Sequence, residues 1–284
     1  MKRTLALVAL LLAAPAAAQQ PIAFPSNDSE ITGGAPTRIE ALLWRPRVPG
    51  ARPAIVLMHG CGGLWGPSGR LTPRHREWAD WFAAFGFVVV HVDSFRPRGF
   101  SEVCVQAQPH SRPGVERARD AYGALAWLQA QPFVDAARIG LMGWSHGGST
   151  TLWTVRDGAR ARPAGLRHDF AAAVAFYPGC AGPLAWRAGW TTHIPLLVLI
   201  GDADDWTPAP PCVALAESAI ARGVPLELVL YAGAHHGFDA PGQPLRVLPG
   251  LRTASGTATI ATDPAARADA IHRVSQWFGE RLDR

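Results

Sequence analysis

Short apolar runs recur along the chain, each bounded by glycine, proline or polar residues. Ala54–Met58, Phe87–Val92, Arg138–Met142, Ala171–Tyr177, Pro195–Ile200 and Leu226–Tyr231 are of strand length and have no polar alternation. That pattern predicts strands buried on both faces, as in a parallel sheet. Helical spacing appears between them. Thr72-Pro73 offers a capping hydroxyl and a first-turn proline. Trp78, Trp81, Phe82 and Phe85 follow on one side before Gly86 stops the helix. Val115–Gln131 repeats the helical pattern with Tyr122, Leu125, Ala126 and Leu128, and Pro208–Arg222 is expected to be helical after its prolines. Asp263-Pro264 opens a last helix carrying Ile271, Val274 and Phe278. Strands alternating with helices predict an α/β fold: a mostly parallel central sheet with helices on both faces, joined by right-handed crossovers. Arg38–Trp44 reads as an early antiparallel strand. Gln19–Thr37 is polar and turn-rich, expected to be a leader or a poorly ordered edge. Gly242–Thr262 reads as a long irregular stretch, lying either over a site mouth or on the surface.

One motif changes the picture. Gly143-Trp144-Ser145-His146-Gly147 follows the run ending at Met142 and precedes Gly148–Val155, which can open a helix. In a strand–turn–helix setting G-x-S-x-G is a nucleophile elbow: a sharp turn that holds a serine hydroxyl above a sheet. A serine needs a base and an acid to orient that base. Both kinds of residue occur downstream, each after an apolar run. Ile200 leads into Gly201-Asp202-Ala203-Asp204-Asp205-Trp206-Thr207-Pro208, and Tyr231 leads into Ala232-Gly233-Ala234-His235-His236-Gly237-Phe238. The order Ser, Asp, His is that of α/β-hydrolases. Asp202 and Asp205 compete with Asp204, which both Gly-x-x-Asp and Asp-x-x-x-Pro favour. His235 competes with His236.

The chain resembles the dienelactone hydrolase family of α/β-hydrolases. The resemblance rests on Met58-His-Gly-Cys-Gly-Gly-Leu64, Val92-Asp-Ser-Phe-Arg-Pro-Arg-Gly99, Gly143–Gly148, Gly201–Pro208 and His236-Gly-Phe-Asp239, which span most of the chain after its N-terminal segment. The namesake enzymes of the family use a cysteine nucleophile where this chain has Ser145, which argues against dienelactone itself as substrate. The resemblance implies a carboxylic ester hydrolase of α/β-hydrolase fold and selects His236 over His235 as the base. Acyl transfer also needs backbone donors for an oxyanion. The expected donors are the amides of His146 and Cys61, with Gly60 and Gly62 as alternatives. Most of the eleven tryptophans are expected in the core. Trp144 and Trp206 flank proposed catalytic residues and are expected to line an apolar pocket. Arg96 and Arg98, after a strand end, are candidates to bind a substrate carboxylate, with ordinary loop arginines as the equal alternative.

Composition sets the compartment. Lys2 and Arg3, an apolar Leu5–Ala14 and Ala16-Ala-Ala18 read as a secretory signal cut after Ala18. The expected organisation is a signal peptide over 1–18 and a single α/β-hydrolase domain over 19–284, periplasmic or secreted, with no membrane attachment once the signal is gone. Cleavage takes two basic residues from a formal net charge of +5, and Lys2 is the only lysine. No basic run with interleaved aromatics supports nucleic-acid binding. Four cysteines in an exported chain suggest disulfides. Cys61 and Cys104 follow expected neighbouring strands, as do Cys180 and Cys212, so these two pairings are favoured among three. No metal-ligand spacing and no dinucleotide fingerprint occur, so no cofactor is expected. The function expected is a secreted serine esterase acting on a small-molecule ester through an acyl-enzyme. The rival readings are a peptidase or amidase of the same fold, and a non-catalytic binding module. The oligomeric state is not legible.

Overall fold

A computed structural model describes residues 18–282. The expected signal peptide lies outside the described residues except for Ala18, which begins the first strand. Eight strands form the main sheet in the order β1-β2-β4-β3-β5-β6-β7-β8. They are β1 (Ala18–Pro25), β2 (Arg38–Arg45), β3 (Arg52–Met58), β4 (Val88–Asp93), β5 (Val134–Trp144), β6 (Ala172–Phe176), β7 (Leu196–Gly201) and β8 (Leu226–Tyr231). From β4 through β8 all neighbours are parallel, while β1 and β2 add an antiparallel margin. The central strands are the continuous apolar runs of the sequence. Ile55 to Met58 are fully buried, which fits strands covered on both faces.

Helices supply that cover. α1 (Ser29–Thr32) is a single turn near the antiparallel edge. α2 (Pro73–Ala84) starts at Thr72, whose hydroxyl accepts from the His75 amide. α3 (Ala118–Gln129) and α4 (His146–Thr154) pack together, and the Tyr122 hydroxyl donates to the Thr154 carbonyl at 3.1 Å. After the short α5 (Ala181–Leu184) and α6 (Ala209–Ile220) comes α7 (Pro264–Leu282). It packs beside α2: Phe82 and Phe278 meet at 5.8 Å, and the Trp81 indole donates to Ser275. Among the described residues no helix is long and apolar enough to cross a membrane.

Two segments depart from expectation. Gln19–Thr37 is not a loose leader, because β1 pairs along its whole length with β2 and buries Phe24. Its prolines, Pro21 and Pro25, are tolerated because the strand is at the sheet edge. Gly242–Thr262 is not irregular throughout. It carries a hairpin of β9 (Arg246–Pro249) and β10 (Thr257–Ile260). This arm is tied back towards the carboxyl ends of the main strands. Thr259 donates from its amide and hydroxyl to the two Asp205 oxygens at 2.7 and 2.9 Å. Ile260 bridges to His236, and the Arg252 amide donates to the Cys104 carbonyl.

Both disulfides have the expected partners. Cys61 bonds to Cys104 and Cys180 to Cys212, each with a Cα–Cα separation of 5.0 Å. The first joins the loop after β3 to the loop after β4. The second joins the start of α5 to α6.

Candidate active site

Ser145 is the turn between β5 and α4. Its φ of 53° and ψ of −115° lie outside the ordinary basins of a non-glycine residue. The turn is held by the sheet beside it, where the Ser145 amide donates to the Phe176 carbonyl at 2.9 Å. It also requires a bare backbone: a Cβ at Gly147 would collide with the Met58 and His59 carbonyls. Gly60 faces the serine itself, since a Cβ there would lie 3.6 Å from Ser145 Cβ.

Asp204 follows β7 and is buried, and His236 follows β8. The imidazole Nδ1 of His236 is 2.8 Å from Asp204 Oδ2. The other carboxylate oxygen accepts from the Trp206 and Thr207 amides at 2.9 and 2.8 Å. Thr207 Oγ1 donates to the Tyr177 carbonyl or to Asp204 and lies 3.2 Å from His236 Nδ1. The competing acids are occupied otherwise. Asp202 accepts from the Gly233 amide, and Asp205 holds the β9–β10 arm. The competing His235 directs Nδ1 at the Ala203 carbonyl, 3.0 Å away. The His236 ring lies between Tyr177 and Trp206, with centroids at 4.5 and 4.8 Å.

The two segments expected to supply oxyanion donors are joined through a buried arginine. Arg117 Nη2 donates to the His59 carbonyl at 2.7 Å, and Nη1 donates to His146 Nδ1 at 2.6 Å. Burial pushes the Arg117 guanidinium down to about 9, opposed by the nearby Asp120 carboxylate. Burial, reinforced by that cation, holds His146 well below the usual imidazole range, so its ring is a neutral acceptor. Cys61 is further fixed by its disulfide and by its carbonyl, which accepts from the Val103 amide at 2.9 Å. His146 opens α4, where first-turn amides have no partner inside the helix.

The four expected substrate residues lie in different settings. Trp144 is fully buried, stacked between His91 and Phe176, and its indole donates to Asp239 at 2.9 Å. It lines no pocket because adjacent positions on a strand face opposite ways, and this one faces the core. Arg98 is likewise unavailable. It forks onto both Asp120 oxygens at 2.8 Å and reaches Asp28 at 3.1 Å. Arg96 lies over the Trp65 ring in an outer groove. Trp206 is the one tryptophan of the expected pair beside the histidine. A cleft of about 410 Å³ opens against the Gly60–Gly63 loop, and its arginines are Arg74 and Arg246.

Sequence reasoning missed Tyr177, Thr207, Arg117 and Asp239 as parts of this site. Asp239 stood within the His-Gly-Phe-Asp stretch but had no assigned task. The buried arginine had no signal in a chain so rich in that residue.

Comparisons with known proteins agree with this architecture. A probable dipeptidyl-aminopeptidase B of Fusarium vanettenii is 40% identical over 77 residues, 27% of this chain and 8% of that protein. The chain thus spans a small fraction of the curated relatives it matches. A dienelactone hydrolase-like promiscuous phosphotriesterase from metagenomic libraries superposes with a TM-score of 0.65 at 23% identity, covering 93% of this chain and 99% of that one. Esterase 2 of Thermogutta terrifontis, phosphorylated by paraoxon, superposes with a TM-score of 0.62 at 20% identity, covering 94% and 95%. The fold is that of the α/β-hydrolases. With the dienelactone hydrolase family model matching residues 39–282, the chain belongs to that hydrolase family.

Proposed function

We propose that the protein is an exported serine hydrolase that cleaves a carboxylic ester through an acyl-enzyme, without a cofactor. The observation that carries this reading is the strained Ser145 turn after β5 together with the 2.8 Å His236–Asp204 hydrogen bond formed after β7 and β8. Asp204 accepts the Nδ1 proton of His236 and leaves Nε2 as the base. Ser145 Oγ attacks the ester carbonyl and gives its proton to His236. The resulting oxyanion is met by the amides of His146 and Cys61, with Gly60 or Gly62 as alternative donors. Collapse expels the alcohol, which takes the proton from His236. Water then repeats the sequence and releases the acid. Two disulfides are compatible with an oxidising compartment, so export and signal cleavage belong to the same proposal.

A peptidase or amidase reading is favoured by partial matches to dipeptidyl-aminopeptidases and to an acylamino-acid-releasing enzyme. Paired nitrophenyl esters and nitroanilides distinguish the two by kcat/KM. A fluorophosphonate probe should label the wild type and not Ser145→Ala. Undiminished labelling of that variant would remove Ser145 from the mechanism.

A further inference from the structure

Asp239 is buried to 1% exposure, and donors from several separate elements converge on its carboxylate. Tyr177 Oη donates to Oδ1 at 2.6 Å. The indoles of Trp78 and Trp144 both donate to Oδ2 at 2.9 Å. Arg74 Nε stands 3.4 Å from Oδ1. These partners are not arbitrary parts of the core. Trp144 immediately precedes Ser145. The Tyr177 ring supports the His236 imidazole, and the Tyr177 carbonyl accepts from Thr207, which also touches Asp204. Asp239 itself comes three residues after His236. One carboxylate therefore fastens the serine turn, the aspartate loop and the histidine loop to one another.

A carboxylate in the core is costly to desolvate. A single guanidinium at 3.4 Å is modest compensation, and two indoles and a phenol complete it. The three catalytic loops rise from different strands, and no covalent link joins them to each other. We propose that Asp239 is a positioning residue that keeps the His236 loop in register with the Ser145 turn, acting through Tyr177 and Trp144. This rests on the reading of Ser145 and His236 as nucleophile and base.

The test uses the full-length protein with a nitrophenyl ester, thermal melting and fluorophosphonate labelling. Asp239→Asn presents an amide N–H₂ where donors already converge, with little change in volume. It is expected to lower kcat on the order of 10²-fold, as for a small misplacement of reacting groups, with KM nearly unchanged and a cooperative melt. Tyr177→Phe keeps the ring beneath His236 and removes one tie, so its loss of kcat should be smaller but in the same direction. It decides the matter if Asp239→Asn does not fold. Wild-type kcat in either folded variant overturns the proposal, as does a loss explained wholly by the unfolded fraction. Failure of the underlying catalytic reading would look different: Ser145→Ala would retain activity and labelling, and the positioning role would fall with it.

Discussion

Ser145 and His236, the proposed nucleophile and base, are each held in place by neighbouring residues, and single substitutions can separate chemistry from positioning. His235 and His236 are adjacent, yet one bonds a loop carbonyl and the other a buried carboxylate. On the proposed mechanism, His236→Ala is expected to lower kcat by about 10⁴-fold, the scale of losing a catalytic base of this kind. His235→Ala forfeits one hydrogen bond, about 1 kcal/mol of stability, and little turnover. Steady-state kinetics on the two variants checks the ranking, and a greater loss from His235→Ala would reverse the assignment. At Gly147 the issue is space. Gly147→Ala drives a methyl group into the Met58 carbonyl, so it should yield little folded protein, scored by soluble yield and melting. The sharp turn at Ser145 and the pairing of Asp204 with His236 were legible because spacing and local apolar runs announce them. Trp144 and Arg98 were misread because a side chain's direction and its ion-pair partner depend on distant chain. Arg98 is paired with Asp28 and Asp120, which nothing in its own neighbourhood foretells.

The elements show the same division. Strands β3, β4, β6 and β7 and the second half of β5 were legible because a buried parallel strand needs an apolar run, whereas the edge strand β8, read from the same pattern, is only partly buried and carries Glu227. The two hairpin strands of the arm were not legible. They are short, rich in proline and glycine nearby, and held by Asp205, Cys104 and His236 instead of by a core of their own. β1 was obscured by its polar neighbours, and only Ile22 and Phe24 hint at alternation. The arm's attachment gives an element-scale prediction. Asp205→Ala removes the acceptor for the Thr259 amide and hydroxyl, so limited proteolysis should cut within 242–262 faster than in the wild type. An unchanged cleavage rate would mean that the remaining ties suffice. The Cys180–Cys212 bridge links α5 to α6. Replacing both cysteines by alanine should lower stability, by less than the roughly 2–5 kcal/mol usual for small secreted domains, as measured by denaturant unfolding.

Across the molecule, the interior behind the serine turn carries an unusual load of neutral imidazole. His59, His75, His91 and His146 are all held below the ordinary range, chiefly by burial, with His75 down to about 3. Each stays neutral when folded but takes up a proton when unfolded below its ordinary pKa of about 6.5. The unfolded state therefore binds more protons in that window. Stability is complete above it and falls as pH drops from about 6.5 towards the folded value, at up to about 1.4 kcal/mol per pH unit for each histidine. Asp120, raised by burial, pulls the opposite way, while Glu116, Asp135 and Asp269, held low by their arginine partners against burial, add to the loss at the acid end. Denaturant midpoints should decline steeply between about pH 6 and 4, a range set by those imidazoles. A flat profile there would show that the histidines titrate freely.

The convergence on Asp239 also has an optical consequence. Two buried indoles there share one negatively charged acceptor, and a third, Trp206, lies against His236. Indole emission responds to nearby charge and to loss of a hydrogen bond. The difference in fluorescence between wild type and Asp239→Asn should therefore report the docking of the serine and histidine loops, with no label attached and no substrate required.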